Sequence, residues 1–517
     1  MKLVVIHFHL NRGGVTSVIL NHLRALQQFC PEQLEQVALL YGGRDAGVPA
    51  ELKDLAEFPI RAHSLPELEY DSERGSVADQ LSEKLMRTLQ QLGFHPSDTI
   101  LHAHNHSLGK NVAFLSAIEQ LTEQGWRWLL QIHDFAEDFR PDNYRHLQET
   151  LAEDSTRTFG RQVYPQAKQI HYAVLNGRDR EIFLQAGVPG DRLHLLPNPV
   201  FAFKSLPQAE VARRKVNEVF DLEKDQHLLV YPVRGIRRKN VGEMLLWSVV
   251  GRGEFVTALT LPPANPIERS SYEEWKSLSE RLKLPCRWEI GAEPSLTFEE
   301  NLAAADHILT TSVAEGFGMV FLEAWLAGKP LCGRDLPEIT HDFKQVGLWY
   351  PQLAAHVLIP IDLVDLERVR EDFLKVYCGV LRAFGLALPD EGELQTEFDA
   401  LIAGDTIDFA VFTRSHQARL IERLVASPAE VDRVLALNPV MQSVLKDDRI
   451  AQQMAIDTNA ETVLDEFSLE STGRTLHNIY QSLLEVEPGA LDAAESPGAV
   501  RDGFLKLTRF QPLRVEP

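Results

Sequence analysis

The sequence predicts an α/β protein: two parallel sheets in tandem, each covered by helices, with a helical C-terminal extension. Three observations carry this. Short apolar runs such as Leu3–Phe8 and Leu228–Val233 alternate with stretches of helical period, in two successive series. Strands that alternate with helices build parallel sheets buried on both faces. The alternation lapses between residues 201 and 226 and again after Pro351, and 517 residues suffice for two or more cores.

In the first series, strands are expected at Leu3–Phe8, Gln36–Tyr41, Ile60–Ser64, Thr99–His104, Trp128–His133, Ile170–Val174 and Leu193–Leu196. Helices are expected at Val15–Leu26, Val77–Leu92, Asn111–Gln124 and Arg178–Ala186. Residues 201–226 read as a linker with one helix. The second series has strands at Leu228–Val233, Val256–Leu261, Arg287–Ile290, His307–Thr311 and Leu331–Gly333. Its helices fall at Gly242–Val249, Tyr272–Leu282, Phe298–Ala304 and Gly318–Ala327. Ligands of such sheets bind beyond the carboxyl ends of the strands, so a cleft between the two halves is the expected site.

The most informative stretch runs from Thr310 to Ala324. A short buried strand opens through Glu315-Gly316-Phe317-Gly318 into a helix that Gly328 and Pro330 end. Free backbone N–H groups at such an opening suit an anionic or strongly hydrogen-bonding ligand. Glu315 lies on the turn and Glu323 a little over two helical turns further on. A helix-dipole role explains Glu315 by itself, but neither the two glycines around an aromatic nor the second carboxylate.

Glu-Gly-Phe-Gly followed by Leu-Glu-Ala resembles the signature of the retaining glycosyltransferases of family 4 (glycosyl transferases group 1), which have the GT-B fold. The flanks Ala327-Gly328-Lys329-Pro330 and Pro337-Glu338-Ile339 are similar too, and Asn198-Pro199 resembles the step that closes the family's first domain. Arg334-Asp335-Leu336 stands where the family carries a glycine pair. The resemblance implies two Rossmann-like domains facing a cleft. Residues 1–200 would be the acceptor domain, 201–226 the linker, and 227–365 the donor domain. A helical insertion would fill 366–466, and a terminal helix at 467–486 would cross back to the first domain. The tail, 487–517, rich in Pro and Gly, reads as a loose arm.

The resemblance also assigns roles. Glu315 would meet donor sugar hydroxyls and Glu323 the ribose. Backbone groups around Gly316, Phe317, Gly318 and Met319 would hold hydroxyls or phosphate. Arg234 and, five residues later, Lys239 would contact the donor diphosphate. A fixed guanidinium and a lysine head stabilise departing phosphate charge without a metal. Arg237 and Arg238 are left to solvent or to an anionic acceptor. Gly13-Gly14 would let the backbone approach donor phosphate, although alone the pair also reads as a plain helix-opening turn. His133 would bond a sugar hydroxyl; a strand-end histidine bonded to backbone is the plain alternative. Arg12, His104, His106 and Asp134 are candidate acceptor contacts. Strand period places His102, His104 and His106 on one face, where a metal could be imagined. The resemblance speaks against that, and no metal and no cofactor is expected.

A net charge of −22 argues against nucleic acid and against docking on an anionic membrane. No apolar run approaches membrane-spanning length. Cys30, Cys286, Cys332 and Cys378 lack paired spacing, which suits a reducing cytoplasm. The function implied is a metal-independent, retaining transfer of a hexose from a nucleoside-diphosphate sugar to a small soluble carbohydrate or polyol-type acceptor. UDP, GDP and ADP donors stay open. The rivals are a GT-B disaccharide phosphorylase and a non-catalytic sugar-nucleotide-binding protein. The stretch after Pro351 is where acceptor specificity or a homo-oligomer interface is expected.

Overall fold

A computed structural model describes residues 1–46, 60–73, 78–151, 159–223, 226–445, 449–492 and 498–515. The expected helix start at Val77, linker residues Lys224 and Asp225, and tail residues Ala493–Pro497 lie outside the described residues. The chain forms two compact units, Met1–Pro199 with Phe467–Lys506 and Val200–Glu466 with Leu507–Pro517.

The first unit holds seven parallel strands: β1 (Lys2–Ile6), β2 (Gln36–Tyr41), β3 (Ile60–Ser64), β4 (Thr99–His104), β5 (Arg127–Ile132), β6 (Ile170–Val174) and β7 (Leu193–Leu195), ordered β3-β2-β1-β4-β5-β6-β7. Every residue of β4, β5 and β6 is buried, as a sheet covered on both faces requires. The helix Gly14–Phe29 turns Ile19, Leu23 and Leu26 onto the sheet at helical spacing. Asn176 caps the helix Gly177–Gln185 by accepting from the Asp179 N–H at 2.9 Å.

The helix Leu469–Glu485 completes this unit. Its Leu476, Ile479, Tyr480 and Leu483 share a core with Leu3, Val5, Leu23 and Leu26. Gly473 lets the helices approach: a Cβ there would sit 2.8 Å from the Ala25 carbonyl oxygen. Arg127 donates to the Leu483 and Val486 carbonyls at 2.9 and 3.0 Å, satisfying groups that the helix end leaves unpaired. The expectation of a loose arm after Glu487 is corrected. Phe504 is 2% exposed and lies 4.8 Å from the Phe135 ring, while in the second unit Phe510 packs on Phe373. Those apolar anchors outweigh the Pro and Gly content that suggested looseness.

The second unit has six parallel strands: β8 (His227–Arg234), β9 (Phe255–Leu261), β10 (Cys286–Arg287), β11 (His307–Thr310), β12 (Leu331–Arg334) and β13 (Gln352–Ala354), ordered β10-β9-β8-β11-β12-β13. The helix Val241–Val250 is buried on every side, which is why its sequence is apolar nearly all round. The region after residue 366 is not wholly helical. Beside the helices Leu366–Ala383, Arg414–Ala426 and Arg449–Glu466, an antiparallel sheet forms from β14 (Leu358–Pro360), β15 (Ile402–Ala403) and β16 (Thr406–Asp408). Ile402, inside the expected helical insertion, is in β15. Gly404, at φ 60, and Asp405 make the two-residue turn into β16, and a Gly-Asp pair is a hairpin signal that breaks the helical run.

Candidate active site

In the second unit the strand order reverses between β8 and β11. Connections leave these two strands in opposite directions, so a crevice opens beyond their carboxyl ends. The segments emerging there are Gly235–Lys239 and Thr311–Glu315.

A short turn, Arg237–Lys239, follows β8 and ends at Asn240, which is left-handed at φ 48. Thr311 Oγ1 donates to the Lys239 carbonyl at 2.9 Å, and the Val313 N–H donates to the Arg238 carbonyl at 2.9 Å. The two segments are thereby stitched together, and their side chains converge on one carboxylate. Lys239 Nζ pairs with Glu315 Oε1 and Arg238 Nη1 with Oε2. Ser312 Oγ adds a bond to Oε1 at 2.6 Å, with the Tyr231 hydroxyl 2.7 Å behind it. Glu315 and Lys239 are each 8% exposed.

Burial works to raise the Glu315 carboxyl, but the Lys239 and Arg238 charges more than offset it and bring it down to about 2. Burial also holds the Lys239 ammonium below the usual lysine value in spite of Glu315. The result is a fixed carboxylate clasped by two cations at a sheet's switch point. Arg238 is the member that sequence reasoning missed. Arg234 is exposed at the end of β8, with Nη1 3.3 Å from the Pro262 carbonyl, and Arg237 pairs with Glu268. The sequence left Arg237 and Arg238 undivided because a basic run does not say which member a turn aims inward.

Glu315 leads through Gly316 and Phe317 to Gly318, at φ 86. A Cβ on Gly318 would meet Phe321 Cδ2 at 2.7 Å, so both conformation and packing demand glycine. The helix that follows is Val320–Leu326, shorter than expected. It carries Glu323, half-buried, with no side-chain partner among the described residues; burial raises its carboxyl. Met319 precedes this helix as its cap.

Arg334, standing where the resemblance expected glycine, closes a buried network. Its Nη2 donates to Glu243 Oε2 at 2.7 Å and to Asp408 Oδ1 at 2.8 Å. Burial pushes Glu243 up to about 7. Burial would raise Asp408 too, but the Arg334 guanidinium holds it well below the carboxylate range.

In the first unit the order reverses between β1 and β4. Beyond β1 come Arg12, Gly13 and Gly14, all exposed. Gly13 is extended, and a Cβ on Gly14 would meet nothing within 4 Å. Packing does not impose these glycines. Beyond β4, Asn105 at φ 58 turns the chain, and its Oδ1 accepts the His133 and Asp134 N–H groups at 2.7 and 3.1 Å. Asp134 pairs with Arg140 at 2.5 Å.

That turn overrules the expectation that His102, His104 and His106 share a face. His106 swings away to bond the Val163 carbonyl at 3.1 Å and is 0% exposed. His104 is 1% exposed and bonds His133, Nδ1 to Nε2, at 2.9 Å. The acceptor contacts expected of His104 and His106 are therefore corrected: both rings are interior. Burial lowers His133 to about 4 and His102 and His106 to about 3, so all are neutral near pH 7. One nitrogen each of His22, His102 and His104 lies within 4.8 Å of the others. The rings stack, however, His102 on His104 at 4.3 Å and 25° and His22 on His102 at 18°. Stacked rings hold their lone pairs side by side, so a cation there would require the rings to turn.

No family model matches the chain. It is similar to a mannosylglucosyl-3-phosphoglycerate synthase of Petrotoga mobilis, 26% identical over 423 residues, covering 79% of this chain and 78% of the relative. Among solved structures, Anabaena HepE in complex with UDP-glucose matches with a TM-score of 0.52 at 13% identity, over 93% of this chain and 100% of that one. Sucrose-phosphate synthase of Thermosynechococcus elongatus matches with a TM-score of 0.52 at 14% identity, over 93% and 98%. The fold is the GT-B fold of glycosyltransferases: two Rossmann-like units and a helix-rich C-terminal region.

Proposed function

We propose that this chain is a glycosyltransferase that takes a hexose from a nucleoside-diphosphate sugar and transfers it, with retention and without a metal ion, to a small soluble acceptor. The family-4 signature from Glu315 to Glu323 supports this reading. The observation that carries it is the clasp of Lys239 and Arg238 on Glu315 at the β8/β11 switch point. Breaking a sugar–phosphate bond leaves charge on the diphosphate. Two cations already fixed and partly desolvated stabilise that charge with little reorganisation. Lys239 and Arg238, still anchored on Glu315, meet the diphosphate with their remaining N–H groups, with Arg234 at the rim. Glu315, kept ionised, then accepts from sugar hydroxyls. Glu323, without a side-chain partner among the described residues, accepts from the ribose hydroxyls. Backbone N–H groups of Phe317, Gly318 and Met319 hold hydroxyl or phosphate oxygens. The leaving phosphate takes the acceptor proton on the same face of the sugar, which gives retention.

In the first unit, the open loop at Gly13-Gly14 admits phosphate, and His133, neutral and held by His104, bonds a sugar hydroxyl. Arg12 and Asp134 are left for the acceptor. The Petrotoga relative's name, a synthase of a glycosylated 3-phosphoglycerate, supports a small anionic acceptor. Among the described residues no helix is long and apolar enough to cross a membrane, and the four cysteines are free, in keeping with action in the cytoplasm.

A screen of UDP, GDP and ADP sugars for slow donor hydrolysis tests the reading. Release of nucleoside diphosphate, lost in Lys239→Ala, is the expected result. Turnover only with sugar phosphates would point to a phosphorylase, and binding without turnover to a non-catalytic protein.

A further inference from the structure

We propose that Gln417, on the helix Arg414–Ala426 of the C-terminal region, is a positioning residue for Lys239, acting through Asn240. Its consequence for turnover rests on the reading of Lys239 as a diphosphate-binding cation; the positioning itself does not.

Asn240 immediately follows Lys239 and holds φ 48, ψ 57, a left-handed conformation that asparagine tolerates better than most residues but that still favours glycine, so its side-chain bonds help to keep it there. Both ends of its side-chain amide are fixed. Gln417 Nε2 donates to Asn240 Oδ1 at 3.1 Å, and Asn240 Nδ2 donates to Glu243 Oε2 at 2.7 Å. Thr311 Oγ1 holds the Asn240 carbonyl at 3.1 Å. Asn240 is 1% exposed and Gln417 0%. A Cβ on Gly242 would collide with Gln417 Oε1, so glycine at 242 is what admits the glutamine.

The second amide bond also traces to the C-terminal region. Glu243 is held by Arg334, and Arg334 by Asp408 at the end of β16. Residues after Pro351 therefore supply one partner of Asn240 directly and orient the other. Without Gln417, Asn240 Oδ1 is a buried acceptor with no other donor among the described residues. The turn then relaxes toward ordinary φ, and the preceding residue swings away from Glu315. The C-terminal region, set apart by sequence, thus locks the turn that aims Lys239.

Competitive acetylation of the full chain, read by mass spectrometry, tests this without substrate. Lys329, bonded to the Ala303 and Ala305 carbonyls at 2.7 Å, is the internal control. In Gln417→Leu, Lys239 is expected to label about tenfold faster, the equivalent of one buried hydrogen bond, with Lys329 unchanged. Adding Asn240→Gly, which adopts positive φ without help, is expected to restore protection. Unchanged Lys239 labelling overturns the proposal. So does a joint rise at Lys239 and Lys329, which is general loosening, or a failure of Asn240→Gly to restore protection. Where donor turnover is measurable, kcat falls in Gln417→Leu and falls no further in Lys239→Ala/Gln417→Leu than in Lys239→Ala; independent, multiplying losses also overturn it. A chain that hydrolyses no donor yet shows this labelling pattern retires the transferase reading and keeps the lock.

Discussion

Lys239 and Glu315, 76 residues apart in the chain, form an ion pair buried at the end of two adjacent strands. Glu315 also holds Arg238 and Ser312, and it is the carboxylate that meets the buried Lys239 head. Local sequence could not have created the pair; the adjacency of β8 and β11 does.

Lys239→Ala is expected to lower donor turnover by about 10²–10³-fold, the range for losing one fixed group that stabilises developing charge. Arg238→Ala follows closely, whereas Arg234→Ala costs less. Nucleotide affinity separates from turnover at Glu323: Glu323→Ala weakens nucleoside diphosphate binding in a calorimetric titration. Equal effects at Arg234 and Arg238 would mean that the clasp is not the site.

Acid sensitivity should show two windows. The Glu315 carboxyl is depressed from 4.5 to about 2, so its contribution is complete above about 4.5 and lost as pH falls toward 2. By the usual conversion this is at most about 3 kcal/mol, and Glu315→Gln removes it. The buried histidines act higher. His7 and His102 are lowered to about 3, by burial first with neighbouring ring charge adding to it, and His133 to about 4 by burial in spite of Asp134, while His22 and His104 sit well below 6.5. The unfolded chain takes those protons more readily, so stability complete above about 6.5 is lost as pH falls below it. Equilibrium unfolding from pH 7 to 4 should steepen accordingly, and His22→Leu should make the slope shallower. An unchanged slope would show that the ring cluster is not held neutral.

Two glycines should behave oppositely. Gly318→Ala introduces a side chain at φ 86 against Phe321 and should cost about 1–3 kcal/mol, seen as a lower Tm. Gly14→Ala meets open space and should leave Tm unchanged or slightly raised. If the loop admits a ligand phosphate, donor turnover falls in Gly14→Ala all the same.

Docking of the helix Leu469–Glu485 is checked at one atom. Gly473→Val sets a side chain against the Ala25 carbonyl and should destabilise the first unit by about 1–3 kcal/mol, the cost of forcing volume into a packed seam. Cys30 would gain solvent access as that helix lifts, and faster thiol labelling reports it.

Much of the fold was legible because it is written locally. Periodicity located nearly every strand of both sheets, and the spacing from Glu315 to Glu323 singled out the stretch that supplies the clasped carboxylate. What the sequence could not fix was direction. Arg238 rather than Arg234 reaches Glu315 because a left-handed Asn240 ends the turn, and His106 parts from His104 because Asn105 bends the chain. The tail packs because distant apolar partners, Phe135 for Phe504 and Phe373 for Phe510, decide there. By itself the sequence determined most of the strands and helices of both sheets and the loop that opens at Glu315. Tertiary structure alone decided which cation meets which carboxylate, since side-chain aim depends on backbone torsions and neighbours that only the assembled sheet brings together.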